Sequence, residues 1–395
     1  MTMGSRRDIA LLFSSRALRA FGFGLSAVII ALHLEHRGVP AGLIGFALGV
    51  GLASASLSGL LFAVVSARIG RRAALALSGV LMALAGLDLA LAPSLWLLVL
   101  AGLTGMLGLA AIDLGPFATV EQATLAEATS AQARNRAFAR YSVLGALAGA
   151  GGSLAATLFQ RDTSSGFLVY AALGALSAVA PLFLSSAVEA PQRGGPVFGS
   201  LRPLAGLAAL FAIDAFGGGL VANAVIAYWL HVRFGASLDE LGPVFAGIAL
   251  LQAASYELAG RLGDRIGLIN TMVFTHLPSN LLLLLVPLSP SLQVAIGLLL
   301  ARFCLSQMDV PARQAYVVSI VPAAERAGAV ASTGAVRGLT QALGPVLAGA
   351  AIQSASLGLP FFVGGGVKAV YDLALYVGFR ARRAEHEGAR GASSR

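Results

Sequence analysis

The chain has 395 residues, of which 57% are hydrophobic and 11% are charged, and its formal net charge is +9. Soluble domains carry about 25% charged residues, so this chain lacks the polar surface that a soluble protein of its length requires. The composition excludes a soluble enzyme, a disordered protein and a coiled coil. It favours an all-α protein that crosses a lipid bilayer many times. The basic residues are scattered along the chain, which argues against a nucleic-acid partner.

The hydrophobic pattern predicts twelve membrane spans, since a spanning helix needs about 20 mostly apolar residues. The predicted segments are 9–34, 41–64, 73–92, 94–120, 137–160, 166–187, 203–231, 240–261, 269–287, 290–318, 327–352 and 358–379. Residues 268–301 contain no Asp, Glu, Lys or Arg and are too long for one span. The stretch from Pro287 to Pro290 is therefore predicted to divide them, as Pro93 is predicted to divide the third span from the fourth.

The loop arginines predict the orientation of these spans. Most of them fall on one side, whereas the other side holds Arg37, Arg161 and Arg233. Because loops rich in arginine stay in the cytoplasm, both termini are predicted to be cytoplasmic. The N-terminal apolar run resembles a secretory signal, but Arg16 and Arg19 interrupt it, so we expect a retained first helix.

The connection at residues 188–202 divides the spans into two groups of six. We predict an N-terminal bundle at 1–187, a cytoplasmic linker at 188–202, a C-terminal bundle at 203–380 and a disordered cytoplasmic tail at 381–395. The linker is a polar connection that contains Pro191, Gly194, Gly195 and Pro196.

The two groups of spans share sequence features. The first span contains Ala20-Phe21-Gly22-Phe23-Gly24-Leu25 and the seventh contains Ala215-Phe216-Gly217-Gly218-Gly219-Leu220. Asp113 in the fourth span corresponds to Asp309 in the tenth. An internal repeat of six spans is typical of transporters, whose substrate site lies between the repeats near the middle of the membrane.

The loop between the eighth and ninth spans carries the most specific motif. Residues 260–267 read Gly-Arg-Leu-Gly-Asp-Arg-Ile-Gly, which is similar to the Gly-x-Leu-x-Asp-Arg-x-Gly signature of the major facilitator superfamily. The equivalent loop at 63–72 keeps the Gly-Arg-Arg end but has Ala67 where the family usually has Asp. The resemblance extends over nearly the whole chain, and segments 272–280 and 306–314 resemble a bacterial subgroup.

The resemblance implies a cytoplasmic gate built around these loops. The predicted gate residues are Gly260, Asp264, Arg265, Gly267, Gly70, Arg71, Asp309, Arg313 and Arg326. The carboxylate of Asp264 can accept N–H groups at a facing helix N-terminus, where the helix dipole favours an anion. The alternative is a connecting loop whose arginines merely follow the positive-inside rule.

Ionisable residues at membrane depth are costly and normally face the interior of the bundle. The predicted residues for the cavity and for proton coupling are Arg19, Asp113, Asp214, Arg302 and Glu257. The resemblance implies that spans one, four, seven and ten line the cavity. We predict the pairs Arg19–Asp113 and Asp214–Arg302, with Asp214 as the first-choice proton carrier and Glu257 as the second. The alternative is that these charges only hold helices together.

Other polar residues inside the spans are weaker candidates. Those considered for substrate contact are Asn223, Tyr228, Trp229, Gln252 and Tyr256, and helix packing or interface anchoring is the alternative for each. His276 is expected to be structural. Lys368 and Asp372, four residues apart on the last span, are predicted to pair with each other.

The sequence has no phosphate-binding loop and no cluster with metal-ligand spacing, so we expect no enzyme activity, no cofactor and no metal. The predicted function is secondary active transport of a small organic molecule by alternating access, in the inner (plasma) membrane of a bacterial cell, by a multi-pass monomer. The glycine-rich fifth span partly matches antiporters of the family, which favours proton-coupled efflux. The alternatives are a proton symporter or uniporter for sugars or metabolites, and a receptor that resembles a transporter without transporting.

Overall fold

The computed structural model describes residues 3–91, 100–109, 115–128, 131–189, 205–319 and 326–379. The regular secondary structure in these ranges is helical. The α-helices are α1 (Met3–His36), α2 (Ala41–Ile69), α3 (Arg71–Leu91), α4 (Pro116–Ala128), α5 (Ala131–Ala155), α6 (Thr163–Val179), α7 (Ala205–Leu220), α8 (Asn223–Phe234), α9 (Leu238–Ile266), α10 (Leu268–Leu285), α11 (Leu292–Leu305), α12 (Asp309–Ser319), α13 (Arg326–Gln341), α14 (Leu343–Gln353) and α15 (Leu359–Phe379).

Ten helical stretches in the described ranges are long and apolar enough to cross a membrane. Each overlaps one predicted segment. The fourth predicted segment lies partly outside the described residues, and the tenth is divided between α11, with 14 residues, and α12. The number of twelve spans and the cytoplasmic location of the termini therefore stay predictions.

The predicted break near Pro287 is confirmed. A short 3-10 turn, Val286–Leu288, follows α10. The next helix, α11, begins after Ser291, whose hydroxyl accepts a hydrogen bond from the N–H of Val294 (3.4 Å). A serine at this position satisfies one of the free N–H groups at a helix start, so the sequence of the turn both ends one helix and begins the next.

Glycines allow the same close helix packing in both halves of the sequence. A Cβ atom at Gly24 on α1 would overlap the backbone oxygen of Gly149 on α5. A Cβ atom at Gly219 on α7 would overlap the backbone oxygen of Gln341 on α13. Small residues let helix backbones approach in this way. The first and fifth spans therefore pack as the seventh and eleventh do, in agreement with the predicted repeat.

The chain forms two compact units. Unit 1 comprises Met1–Gln192, Ala222–Leu250 and Pro345–Ser356, and unit 2 comprises Arg193–Val221, Leu251–Gly344 and Leu357–Arg395. In unit 1, α3 packs on α6 and α1 packs on α5 and α6. In unit 2, α10 packs on α15 and α7 packs on α13 and α15. Helix α8 and most of α14 belong to unit 1, and the bundle boundaries drawn from the sequence stay predictions.

Candidate functional site

Unit 2 contains a cluster of charged side chains around Asp214 on α7, which is 2% exposed. The carboxylate of Asp214 accepts hydrogen bonds from Lys368 Nζ on α15 (2.5 Å) and from Arg337 Nη1 on α13 (2.9 Å). Arg313 Nη1 on α12 and His276 Nε2 on α10 each lie 3.7 Å from a carboxylate oxygen of Asp214. Basic side chains from four helices thus lie within 3.7 Å of this one carboxylate.

His276 connects this carboxylate to a second one. Its Nδ1 atom forms a hydrogen bond with Asp372 Oδ1 (2.8 Å), and its Nε2 atom faces Asp214. Asn280 Nδ2 donates a hydrogen bond to the other oxygen of Asp372 (2.8 Å). His276 is 3% exposed and Asp372 is fully buried. The imidazole therefore bridges two buried carboxylates, an arrangement that the sequence did not indicate.

Arg313 and Asp309, two of the predicted gate residues, belong to the same cluster. Arg313 donates a hydrogen bond to Asp309, four residues earlier on α12. Both side chains are buried, because this face of α12 is turned toward Asp214 rather than toward solvent. Their proposed gate function stays a prediction.

Two predicted ion pairs are wrong. Arg302 forms no salt bridge with Asp214, and Lys368 forms none with Asp372, although all four side chains are described. Lys368 reaches across to Asp214, while Asp372 is bonded to His276. Residues four apart share a helix face, which is why Lys368 and Asp372 were predicted to pair. In the structure their bonded partners lie on neighbouring helices instead.

Unit 1 contains a second buried network, around Glu121 on α4. Arg19 donates hydrogen bonds to Glu121 Oε2 (3.0 Å) and to the hydroxyl of Tyr141 (3.0 Å). Ser15 and Tyr141 donate to the same carboxylate, at 2.8 and 2.6 Å. The predicted partner of Arg19, Asp113, lies outside the described residues, so that pair stays a prediction.

Glu121 is a buried acid that the sequence interpretation missed. It follows Asp113 by eight positions in the sequence and lies on α4, which begins at Pro116 inside the fourth predicted span. A second acid close to Asp113 in the sequence was the available signal. Glu257, the second-choice proton carrier, lies on the surface instead: its side chain is 71% exposed and pairs with Arg261 (3.5 Å). Its proposed coupling function stays a prediction.

The weaker candidates for substrate contact lie in both units. In unit 1, Asn223 begins α8, Trp229 is fully buried against Phe234, and Tyr228 donates a hydrogen bond to Glu35 (3.4 Å). These contacts give Tyr228 and Trp229 packing functions, and substrate contact stays a prediction for all three residues.

In unit 2, Tyr256 donates a hydrogen bond to Gln307 (3.2 Å). Gln252, one helical turn earlier on α9, is 7% exposed, and its Nε2 atom is buried without a hydrogen-bond partner. Gln252 therefore has a buried donor that is free to meet a ligand.

The two motif loops share a backbone feature. Gly70 and Gly267, which precede α3 and α10, have φ angles of 88° and 89°, which favour glycine. In the N-terminal loop the carboxylate of Glu189 accepts hydrogen bonds from the backbone N–H groups of Arg71 (2.6 Å) and Arg72 (3.1 Å). Glu189, which the sequence placed in the linker, thus occupies the positive end of the α3 dipole.

The remaining gate candidates lie near the C-terminal end of α9 and at the start of α13. Gly260 lies within α9, and Arg265 is exposed near its end. The side chains of Asp264 and Arg326 lie outside the described residues. The gate function of the two loops stays a prediction.

A family model for the Major Facilitator Superfamily matches residues 12–211 and, a second time, residues 204–394. The chain belongs to the major facilitator superfamily. The two matches divide the chain as the internal repeat does. This superfamily comprises membrane transporters, so the chain is a multi-pass membrane protein with a small-molecule substrate.

Relatives and solved structures agree with this assignment. An uncharacterized membrane protein of Saccharomyces cerevisiae is 22% identical over 417 aligned positions, which cover 93% of each chain. The crystal structure of the nucleoside transporter NupG matches with a TM-score of 0.75 and 14% identity, covering 95% of this chain and 99% of that one. The crystal structure of a D-xylose-proton symporter matches with a TM-score of 0.75 and 15% identity, covering 94% and 97%. Because both identities are below 25%, these likenesses show the fold of the chain, which is the major facilitator fold.

Proposed function

We propose that this major facilitator transports a small organic molecule across the cytoplasmic membrane by alternating access, in exchange for protons. The transporter class follows from the family. Coupling to protons is supported by one observation: the carboxylate of Asp214 is shared by cations from α12, α13 and α15.

A proton and these cations compete for the same carboxylate. When Asp214 is charged, its salt bridges with Lys368 and Arg337 hold α7 against α15 and α13. Protonation removes the negative charge, and charge–charge attraction is strong in a low-dielectric interior. Proton binding therefore weakens the contacts between these helices, and the arrangement that binds the cations excludes the proton. This competition couples protonation to helix movement.

His276 provides a route for the proton. Its two ring nitrogens face Asp372 at 2.8 Å and Asp214 at 3.7 Å. An imidazole takes up a proton at one nitrogen and releases one from the other. We propose that protons pass between Asp372 and Asp214 through this ring.

Export is the direction that we propose, in the inner membrane of a bacterial cell and as a monomer. Its support is the resemblance of the glycine-rich fifth span to that of antiporters in the family. Gly149 and Gly152 of that span also serve close packing against α1. Import with protons is the alternative, and the sign of the proton movement distinguishes the two.

Inside-out membrane vesicles with an acidic interior test the proposal. A panel of drugs, sugars and amino acids is added while the pH gradient is followed, with Asp214→Asn as the comparison. We expect one compound class to dissipate the gradient with the natural sequence and not with the variant. Uphill transport that persists in Asp214→Asn would eliminate Asp214 as the carrier. Further acidification of the vesicle interior when a compound is added would establish import with protons.

A further inference from the structure

Arg302 on α11 is a buried cation without a matching acid. It is 5% exposed, and its Nε and Nη1 atoms are buried without a hydrogen-bond partner among the described residues. Asp214 attracts it electrostatically, but the Asp214 carboxylate is bonded to Lys368 and Arg337 instead. The ring of Phe303 covers one face of the guanidinium (4.5 Å to the ring centroid), which leaves its edges available for hydrogen bonds.

The charges of the cluster do not balance. In the part of unit 2 that the structure describes, its cations are Arg302, Arg313, Arg337 and Lys368, and its carboxylates are Asp214, Asp309 and Asp372. Each carboxylate already has a bonded partner. One positive charge is therefore in excess, and the cation without a partner is Arg302.

An arginine cannot remove this excess by losing its proton, because the guanidinium stays charged in proteins. Burying an unpaired charge is strongly unfavourable. A negatively charged group that binds beside Arg302 would restore the balance.

A second unpartnered donor lies on the helix next to Arg302. Ser255 on α9 donates a hydrogen bond to the backbone oxygen of Cys304 on α11 (2.6 Å), so this face of α9 contacts α11. Gln252 precedes Ser255 by about one helical turn and lies on the same face. Its buried Nε2 atom has no hydrogen-bond partner. Arg302 precedes Cys304 by two residues on α11, so Arg302 and Gln252 each lie within one helical turn of this contact between α9 and α11.

We propose that Arg302 and Gln252 bind an acidic group of the transported molecule, which makes the substrate of this protein an organic anion. A guanidinium forms strong, charge-assisted hydrogen bonds with a carboxylate or a phosphate, and the amide of Gln252 adds a neutral donor. The inference rests on the proposed transport function and adds the chemical class of the substrate. Arg302 supplies the charge for binding, while Asp214 remains the group that exchanges protons.

The test measures ligand binding to the purified protein in detergent, as a rise in the midpoint of thermal unfolding. The probes are pairs of an anion and a neutral counterpart: benzoate with benzamide, and phenyl phosphate with phenol. Carboxylates and phosphates from a metabolite panel are each compared with a neutral counterpart in the same way. We expect at least one anion to raise the midpoint and its neutral counterpart to leave it unchanged. The carboxylate and phosphate arms identify which acidic group is preferred.

Variants locate the binding group. We expect Arg302→Gln to weaken the anion-dependent shift at least about tenfold in apparent affinity, Gln252→Leu to weaken it less, and Arg302→Lys to retain part of it. Arg161→Gln, which removes one positive charge from an exposed loop position, should leave it unchanged. Without ligand, Arg302→Gln should be at least as stable as the natural sequence, since it removes an unpaired buried charge.

Three outcomes would overturn this inference: equal shifts from neutral and anionic partners, no shift from any anion, or full retention of the anion shift in Arg302→Gln. None of them bears on proton coupling, which depends on Asp214. Anion binding that requires Arg302 in a protein without proton flux would reject the proposed coupling and leave the substrate class intact.

Discussion

Lys368 and Asp214 lie 154 positions apart in the sequence, and the ammonium of Lys368 donates a buried hydrogen bond of 2.5 Å to Asp214 Oδ1. Arg337 donates to the other oxygen, Oδ2, at 2.9 Å. The carboxylate therefore has two bonded cations, whereas among the described residues each cation has a salt bridge with this acid alone. Loss of the Asp214 carboxylate and loss of one cation should therefore lower the free energy of unfolding by different amounts.

Removing the acid should cost more than removing one cation. Asp214→Asn leaves both Lys368 and Arg337 without their carboxylate, and we expect a loss of about 3–5 kcal/mol in the free energy of unfolding. Lys368→Met leaves Arg337 on Asp214 and should cost clearly less. Thermal unfolding of the purified variants measures both. Equal losses, or a larger loss for Lys368→Met, would show that the carboxylate does not organise the cluster.

The network in unit 1 should depend on Glu121 in a similar way. Glu121→Gln removes the charge that accepts hydrogen bonds from Ser15, Arg19 and Tyr141. We expect a loss of about 1–3 kcal/mol, the usual cost when a buried partner becomes unsatisfied. Gln122→Ala, at the exposed neighbouring position, is the matched control and should change the unfolding midpoint little. Equal unfolding midpoints for the two variants would show that the hydrogen bonds of Glu121 do not stabilise the protein.

Close packing of α7 on α13 should make one glycine indispensable and its neighbour dispensable. A methyl group at Gly219 would overlap the backbone oxygen of Gln341, whereas one at Gly218 would meet only Lys368 Nζ, at 3.8 Å. We expect Gly219→Ala to destabilise the protein by about 1–3 kcal/mol through overpacking. Gly218→Ala should be neutral or gain up to about 1 kcal/mol from helix propensity. The unfolding midpoint and the ratio of folded to aggregated protein after purification compare the two variants. A less stable Gly218→Ala than Gly219→Ala would contradict the close packing of α7 on α13.

A polar contact in unit 1 joins the first and seventh predicted spans. His231 Nε2 on α8 lies 3.2 Å from Glu35 Oε2 on α1, and both side chains are about one-third exposed. Pairs of this exposure contribute about 0.2–1 kcal/mol. We expect a coupling energy in that range from a double-mutant cycle of Glu35→Gln and His231→Gln. Additive effects of the two substitutions would mean that the contact is absent in the resting protein.

The sequence predicted the spans and the repeat because both depend on local properties. Ten of the predicted segments overlap a helical stretch long and apolar enough to cross a membrane, and the turn at Pro287 separates α10 from α11. The glycine-containing runs at 20–25 and 215–220 indicated the repeat, and the structure adds that Gly24 and Gly219 allow close helix packing. The number of twelve spans stays a prediction, since the fourth predicted segment lies partly outside the described residues.

The pairing of the buried charges could not be predicted from the sequence. A helix that is apolar on most sides has no polar face to fix its rotation, so the partner of Asp214 depends on how α7, α13 and α15 turn toward each other. Lys368 was therefore assigned to Asp372 on its own helix, and His276 was considered structural. Glu189 was missed because it lies in a segment that the polar composition identified as a linker.

Proton movement driven by substrate tests the central claim most directly. The purified protein is reconstituted into liposomes with an internal pH indicator, and an organic anion that stabilises it is added. Three sequences are compared: the natural one, the double variant Asp214→Asn with Lys368→Met, which removes the carboxylate and its bonded lysine together, and Asp239→Asn at an exposed position. We predict that the anion moves protons in the natural protein and in Asp239→Asn, and that the double variant binds the anion without moving protons. Undiminished proton movement in a folded double variant would contradict the account.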